Sequence, residues 1–397
     1  MDERMSKNRK LANSGISPLQ LTEKFGSPLY VYDGDLIGRR CRELKPSFSG
    51  LVLYYASKAN ENPEIVRLIA KAGFGIETVS PEEIRVARRV GVPVSKITFT
   101  CSSIDEDELV WIVKQRVRVH LDSLTQVEMF GRNFPGRDIS VRLNQGIGAG
   151  HHAHVITGGS DSKFGIDISH LSELRELAKK YGLRVIGLHQ HIGSNILEIP
   201  IFIKAMEKLC DRALRFPDLK HLDFGGGFGV PYKPSEKKLN LKKLGGKVKA
   251  VLRRFEKRYG KQVEFSFEPG RYLVAEVGSL LVRVNDIKRN PTRTFIGVNS
   301  GMNHLIRPAL YGSYHEVLNA THPRNRSEKV TIAGNMCESG DLLAKNRFLP
   351  SPEIGDILVV KNAGAYGYSM SSHYNLRPRP AEILVLKHSA KVIRKAI

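Results

Sequence analysis

Four short stretches carry residue types that an apolar strand has no packing reason to contain: YYASKAN at 54–60, GLHQHIGS at 187–194, LDFGGGFG at 222–229 and FEPGRY at 267–272. They supply an amine (Lys58), two imidazoles (His189, His191), a hydroxyl (Ser194), a glycine triplet (Gly225, Gly226, Gly227) and a carboxylate close to an arginine (Glu268, Arg271). An amine can join covalently to an aldehyde, and backbone N–H groups free of side chains can close on a phosphate oxygen. A carboxylate can keep a ring nitrogen protonated. Taken singly these are weak signals, because a glycine triplet marks many turns and a lone lysine is usually a surface group. Taken together they are what pyridoxal 5'-phosphate requires.

Each stretch ends an apolar run, and the runs set where the groups stand. Leu51 to Ala56 read as a buried strand, and Asn62 with Pro63 reads as the N-cap and first position of a helix. Ile65, Leu68, Ile69 and Ala72 recur on one face of that helix until Gly73, so Lys58 falls on a strand-to-helix turn. Comparable runs are IETV (76–79), ITFTC (97–101), VRVHL (117–121), ISVRL (139–143), RVIGL (184–188), HLDF (221–224) and VEFSF (263–267). Segments of helical period separate them, such as Phe202, Ile203, Met206, Leu209, Cys210 and Ala213. Eight alternations predict an α/β fold with a closed parallel (β/α)8 barrel, whose strand ends would bring all four stretches to one rim.

After about Leu280 the texture changes to strand-like pieces such as TFIGV, KVTIAG and DILVV, broken by Gly, Pro and Asn. The reading therefore divides the chain into a barrel over 46–284 and a mostly antiparallel β domain formed by 1–45 and 285–397. PLYVYD (28–33) is placed as a strand pairing with the C-terminal sheet.

The 397 residues, 41% hydrophobic, are enough to fill two cores. No run approaches the ~18 apolar residues of a membrane span, and the charged start lacks the apolar middle of a secretory signal. The cytoplasm is the expected location, and an organelle address stays open. Cys41, Cys101, Cys210 and Cys337 lie far apart with no C-x-x-C spacing, which argues against a zinc site or a disulfide framework. The net charge of +22 owes much to residues 237–261. That run reads either as attraction to nucleic-acid phosphates or as the solvated face of a helix whose apolar stripe is Val248, Val251, Leu252 and Phe255.

With YASKAN, HIGS, GGGFG, EPGR, LIRPALYGSYHE (305–316), CESGD (337–341) and GAYGYSMSSHYN (364–375) in order, the chain from Pro28 to Val385 resembles the diaminopimelate decarboxylases. These belong to the alanine-racemase-like pyridoxal phosphate enzymes that include ornithine decarboxylase. The resemblance implies a homodimer with active sites shared across the interface. It implies that Lys58 carries the cofactor, that His191 stacks on its ring and that Glu268 faces the ring nitrogen. Ser194, Gly225, Gly226, Gly227, Gly270, Arg271 and Tyr366 would surround the phosphate. Arg271, Arg307, Tyr311 and Tyr366 would meet the substrate, with Arg271, Arg307 and Tyr311 holding carboxylate. Glu338 from the partner chain would reach the amine, and Cys337 would donate a proton. The implied reaction removes the carboxylate at the D centre of meso-diaminopimelate and yields L-lysine.

Several positions depart from the usual pattern: Gln145 in place of proline, Glu77 in place of aspartate, and Asn299 and His304 in place of aspartates. They bear on substrate preference, so D-ornithine, D-lysine or carboxynorspermidine are alternative substrates. A racemase of the same fold fits CESGD less well. A noncatalytic, basic protein binding pyridoxal phosphate or nucleic acid is the rival from another class, although neither role needs Cys337 and Glu338. His151, His152 and His154 invite a metal reading, but no fourth ligand accompanies them and the stretch reads as a lid loop. His189 lies two positions from His191 on the same face and reads as a packed neighbour.

Overall fold

The first strand, β1 (Leu29–Asp33), joins a mixed sheet, whereas the next eight close on one another. These are β2 (Val52–Ala56), β3 (Gly75–Thr78), β4 (Ile97–Phe99), β5 (Arg118–Leu121), β6 (Asp138–Asn144), β7 (Arg184–His189), β8 (His221–Asp223) and β9 (Glu264–Phe267). The ring runs β2-β3-β4-β5-β6-β7-β8-β9, every pairing is parallel, and Ser266 beside Val52 closes it. Each apolar run picked out in the sequence coincides with one of these strands. The computed structural model describes residues 15–150 and 162–397, so His151, His152 and His154 lie outside the described residues.

Local chemistry explains the alternation. The helix Pro63–Lys71 starts where the Asn62 side chain accepts from Glu64 N, and it buries Ile65, Val66 and Ile69. Ser80, Asp105 and Ser123 cap the helices after β3, β4 and β5 in the same way. The basic segment forms the helix Leu241–Tyr259, capped by Asn240. It buries Val248, Val251, Leu252 and Phe255, while Arg254 and Arg258 reach outward to Glu207 and Asp211, each at 2.6 Å. The solvated-face reading accounts for these contacts.

Contacts divide the chain into two units, one of residues 41–230 and 237–271, the other of residues up to 40, 231–236 and 272–397. This division differs from the expected limits at 46 and 284, because β10 (Gly278–Asn290) is one continuous strand of the second unit. In that unit β1 pairs antiparallel with β10 and parallel with Ala381–Leu386. Arg293–Val298 pairs parallel with Ser327–Ala333, and the remaining described pairings of this unit are antiparallel. Leu29, Val31, Leu281, Ile357, Val359, Ile383 and Val385 form its core.

Candidate active site

Parallel strands put all their C-terminal ends on one rim, and the four chemical stretches emerge there from β2, β7, β8 and β9. Lys58 sits in a single 3-10 turn, Ser57–Ala59, directly after β2. Its Nζ lies 2.9 Å from Glu77 Oε2 on β3, and Glu77 is fully buried. Behind this pair, Ser57 Oγ and Val79 N both donate to Glu83 Oε2 at 2.8 Å. Burial, reinforced by the charge of Glu77, pushes the Glu83 carboxyl up to about 7.

The glycine triplet is dictated by close backbone approach. A Cβ on Gly225, which has φ of +68°, would stand 2.3 Å from Gln190 O. One on Gly226 would stand 2.2 Å from Glu268 O. Gly226 N donates to His191 Nδ1 at 3.1 Å, and burial together with the Lys58 and Arg142 charges holds this imidazole well below its ordinary pKa. His191 is thus neutral, with its proton on Nε2. Gly270 packs against Ala56 and Ala59, where an added Cβ would come within 3.2 Å of Ala59 Cβ. Arg271 Nη2 and Nε donate to Ser194 Oγ at 2.8 and 3.2 Å.

Glu268 is buried, and its Oε2 lies 3.1 Å from His189 Nε2. Its Oε1 is buried with no hydrogen-bond partner among the described residues. Burial and the nearby Glu77 raise its pKa. A protonated pyridine nitrogen would satisfy that acceptor, and the turn at Gly225–Gly227, free of side chains, lets a phosphate approach the main chain closely. The residues therefore fit pyridoxal phosphate.

The second unit holds the other residues singled out. Arg307 is buried, donates from Nη1 to His315 Nε2 at 3.0 Å, and lies over the Tyr232 ring at 4.6 Å. His315 Nδ1 sits 2.8 Å from Lys361 O, so its proton is there and Nε2 accepts. Tyr311 ends the same short helix, Arg307–Tyr311. Tyr366 adopts φ of +56°, a conformation an aromatic residue rarely holds without surrounding constraint. Cys337 and Glu338 are exposed, so Cys337 is not a packing cysteine.

Sequence reasoning passed over Asp341, which fixes the loop carrying Cys337 and Glu338. Its carboxylate accepts from Met302 N at 2.5 Å and Met336 N at 2.8 Å, while its own N–H donates to Glu338 O at 3.0 Å. Asp223 was passed over too; it accepts from Gly225 N and Ser266 Oγ at 2.8 and 2.6 Å and orients the glycine turn. A lone carboxylate closing a buried strand was its available signal.

A closed parallel barrel with a lysine, a phosphate-ready glycine turn and a buried carboxylate on one rim defines a pyridoxal phosphate enzyme. Residues 35–275 match the family described as pyridoxal-dependent decarboxylase, pyridoxal binding domain. The chain is 42% identical to the diaminopimelate decarboxylase of Methanothermobacter thermautotrophicus, covering 96% of this chain and 92% of that one. It is 35% identical to that of Aquifex aeolicus with the same coverage. The crystal structure of the M. jannaschii diaminopimelate decarboxylase with L-lysine superposes with a TM-score of 0.88 at 30% identity, covering 96% of this chain and 92% of that one. The chain belongs to the diaminopimelate decarboxylase family of pyridoxal-dependent decarboxylases.

Proposed function

We propose that the chain decarboxylates meso-2,6-diaminopimelate at its D centre, giving L-lysine and carbon dioxide in the last step of lysine biosynthesis. The observation that carries this reading is the buried Glu268 Oε1, which has no hydrogen-bond partner among the described residues, on the rim that also bears Lys58. Pyridoxal phosphate bound there supplies a ring that accepts the electron pair left by carbon dioxide. Lys58 anchors its aldehyde. Glu268 holds a proton at the ring nitrogen, and the neutral His191 offers a flat face to the ring. Ser194, Gly225, Gly226, Gly227, Gly270, Arg271 and Tyr366 hold the phosphate.

Arg271, Arg307 and Tyr311 take substrate carboxylate, and Tyr366 completes the substrate contacts. A second carboxylate on the substrate gives the buried Arg307 guanidinium, a rigid planar fork of donors, an anionic group of matching geometry. Glu338 meets an amine, and Cys337 delivers a proton to the carbon that lost its carboxylate. The chain works as a homodimer in which Cys337 and Glu338 serve the partner's site. Their exposure supports this, as does the exposed Leu376 next to Asn375, whose Oδ1 accepts from Cys337 N at 3.1 Å. No described helix is long and apolar enough to cross a membrane, and we place the enzyme in the cytoplasm.

The test is carbon dioxide release measured side by side from meso-diaminopimelate, D-lysine, D-ornithine and L-ornithine, with L-lysine identified as product. Faster release from any of the other three overturns the substrate assignment. Mixing Lys58→Ala and Cys337→Ala chains restores activity if each site draws on two chains. No recovery after subunit exchange overturns that arrangement.

A further inference from the structure

The reaction as proposed makes no use of three histidines stacked inside the barrel. His189 on β7 meets Glu268 through Nε2, the ring of His120 on β5 stacks on His189 at 4.7 Å and 27°, and His221 on β8 meets His120 edge-on at 5.8 Å. All three are buried, where barrel interiors ordinarily carry branched aliphatic residues. Removing an imidazole from water is costly unless its hydrogen bonds are replaced. Yet His189 Nδ1, His120 Nε2 and His221 Nε2 have no partner among the described residues. The hydrogen bond described for His189 is therefore the one to Glu268. Its plane is set by His120, which is itself held by Ser140 Oγ at 2.7 Å from Nδ1.

We propose that His189 is a positioning residue: its Nε2–H fixes Glu268 through Oε2, leaving Oε1 to meet the ring nitrogen of the bound cofactor. The proposal rests on the cofactor reading given above. Protons balance without transfer through the histidine. His189 keeps its single proton on Nε2, the ring nitrogen keeps its own, and Glu268 accepts from both as a carboxylate. Burial holds His189 down at about 4, so it donates as a neutral group and brings no positive charge to compete with the ring. The groups facing Glu268 are Lys58 after β2, Glu77 on β3, Arg142 on β6, and His120 and Asp223, which each bring an atom within 4.8 Å of it. Lys58 and Arg142 favour the carboxylate, Glu77 and Asp223 oppose it, and the His189 donor adds to the favourable side.

The test compares the holoenzyme with His189→Leu, which removes the donor, and His189→Gln, whose amide can restore one near the Nε2 position. The readouts are the 15N signal of ring-labelled pyridoxal phosphate and the pH titration of the visible band. A hydrogen bond to a charged group supports a shift of about one pH unit in the ring-nitrogen titration of His189→Leu. We expect kcat to fall about tenfold or more with KM within about twofold, the pattern of an interaction exerted on the transition state. His189→Gln should recover most of both effects. His189→Met fills the space should the leucine variant not fold. An unchanged 15N signal and titration in the leucine or methionine protein overturn the proposal, as does a loss of melting temperature shared equally by all variants with no spectral change. If the wild-type protein forms no borohydride-reducible link at Lys58, the cofactor reading fails instead.

Discussion

Lys58 Nζ and Glu77 Oε2 form an ion pair at 2.9 Å in which the carboxylate is buried, 1% exposed, and the amine 36% exposed. The two members are thus unequal, since losing the amine strands a charge away from water whereas losing the carboxylate leaves an amine that water can reach. Lys58→Ala should abolish the yellow, borohydride-sensitive band and destabilise the cofactor-free protein by about 1–3 kcal/mol, less than for a fully buried pair. Adding Glu77→Gln should recover most of that stability and none of the colour. Denaturant titrations of the two variants check it.

Gly226→Ala should remove cofactor binding by sterics alone. The methyl would meet the Glu268 carbonyl, a backbone atom on a barrel strand end with no easy path to move. The clash should outweigh the ~0.4–1 kcal/mol by which such a change stabilises an unobstructed site, and affinity for pyridoxal phosphate should drop by about a hundredfold or more. Equilibrium dialysis of the stripped variant against the cofactor measures it.

Thiol chemistry should single out Cys337. Burial pushes the Cys41 and Cys210 thiols up to about 12, so neither presents thiolate at neutral pH, whereas Cys337 is exposed. Iodoacetamide should label Cys337 ahead of both and stop carbon dioxide release, and mass spectrometry locates the adduct. Cys337→Ala should lower kcat by about 10²–10⁴, the range for loss of a positioned acid, with the bound-cofactor spectrum unchanged.

Asp223 gives a signed pH effect. Burial, then the charge of Glu268, raises its carboxyl from 3.8 to about 7. Between those values the folded chain holds a proton that the unfolded chain has released, so this group's contribution to stability falls as pH rises from 4 to 7 and is level above. In the cofactor-free protein, Asp223→Asn should match wild type near pH 4 and gain on it by about 1.4 kcal/mol per pH unit up to 7. The buried His221, held down at about 3, imposes the opposite slope below 6.5 on both proteins and cancels in the difference. Parallel denaturation at pH 5 and pH 8 reads the gap, and equal gaps refute it.

The barrel was legible because strands covered on both faces appear as unbroken apolar runs, and LVLYYA or ISVRL have no helical alternative of that length. The rim was legible because lysine, glycine triplets and EPGR interrupt those runs. The partners of these residues left no such mark. Glu77 lies 19 positions from Lys58, and His189 lies 79 from Glu268, so strand adjacency creates contacts that periodicity cannot encode. Asp341 was hidden for another reason: it serves the backbone N–H groups of Met302 and Met336, which carry no residue signature. β10 runs unbroken past residue 284, and the shift in its pairing with Arg293–Val298 between Val284 and Asp286 has no mark in residue type.

Asp341 also bears on how such enzymes diversify. It grips the loop from behind, through main-chain atoms alone, while the side chains of Cys337, Glu338 and Ser339 face outward. Those three positions can be rewritten singly without altering the path of the chain between them. With the roles proposed for Cys337 and Glu338, the loop would be an interchangeable reading head, where a lineage could acquire a new appetite while its vitamin-binding barrel stays untouched.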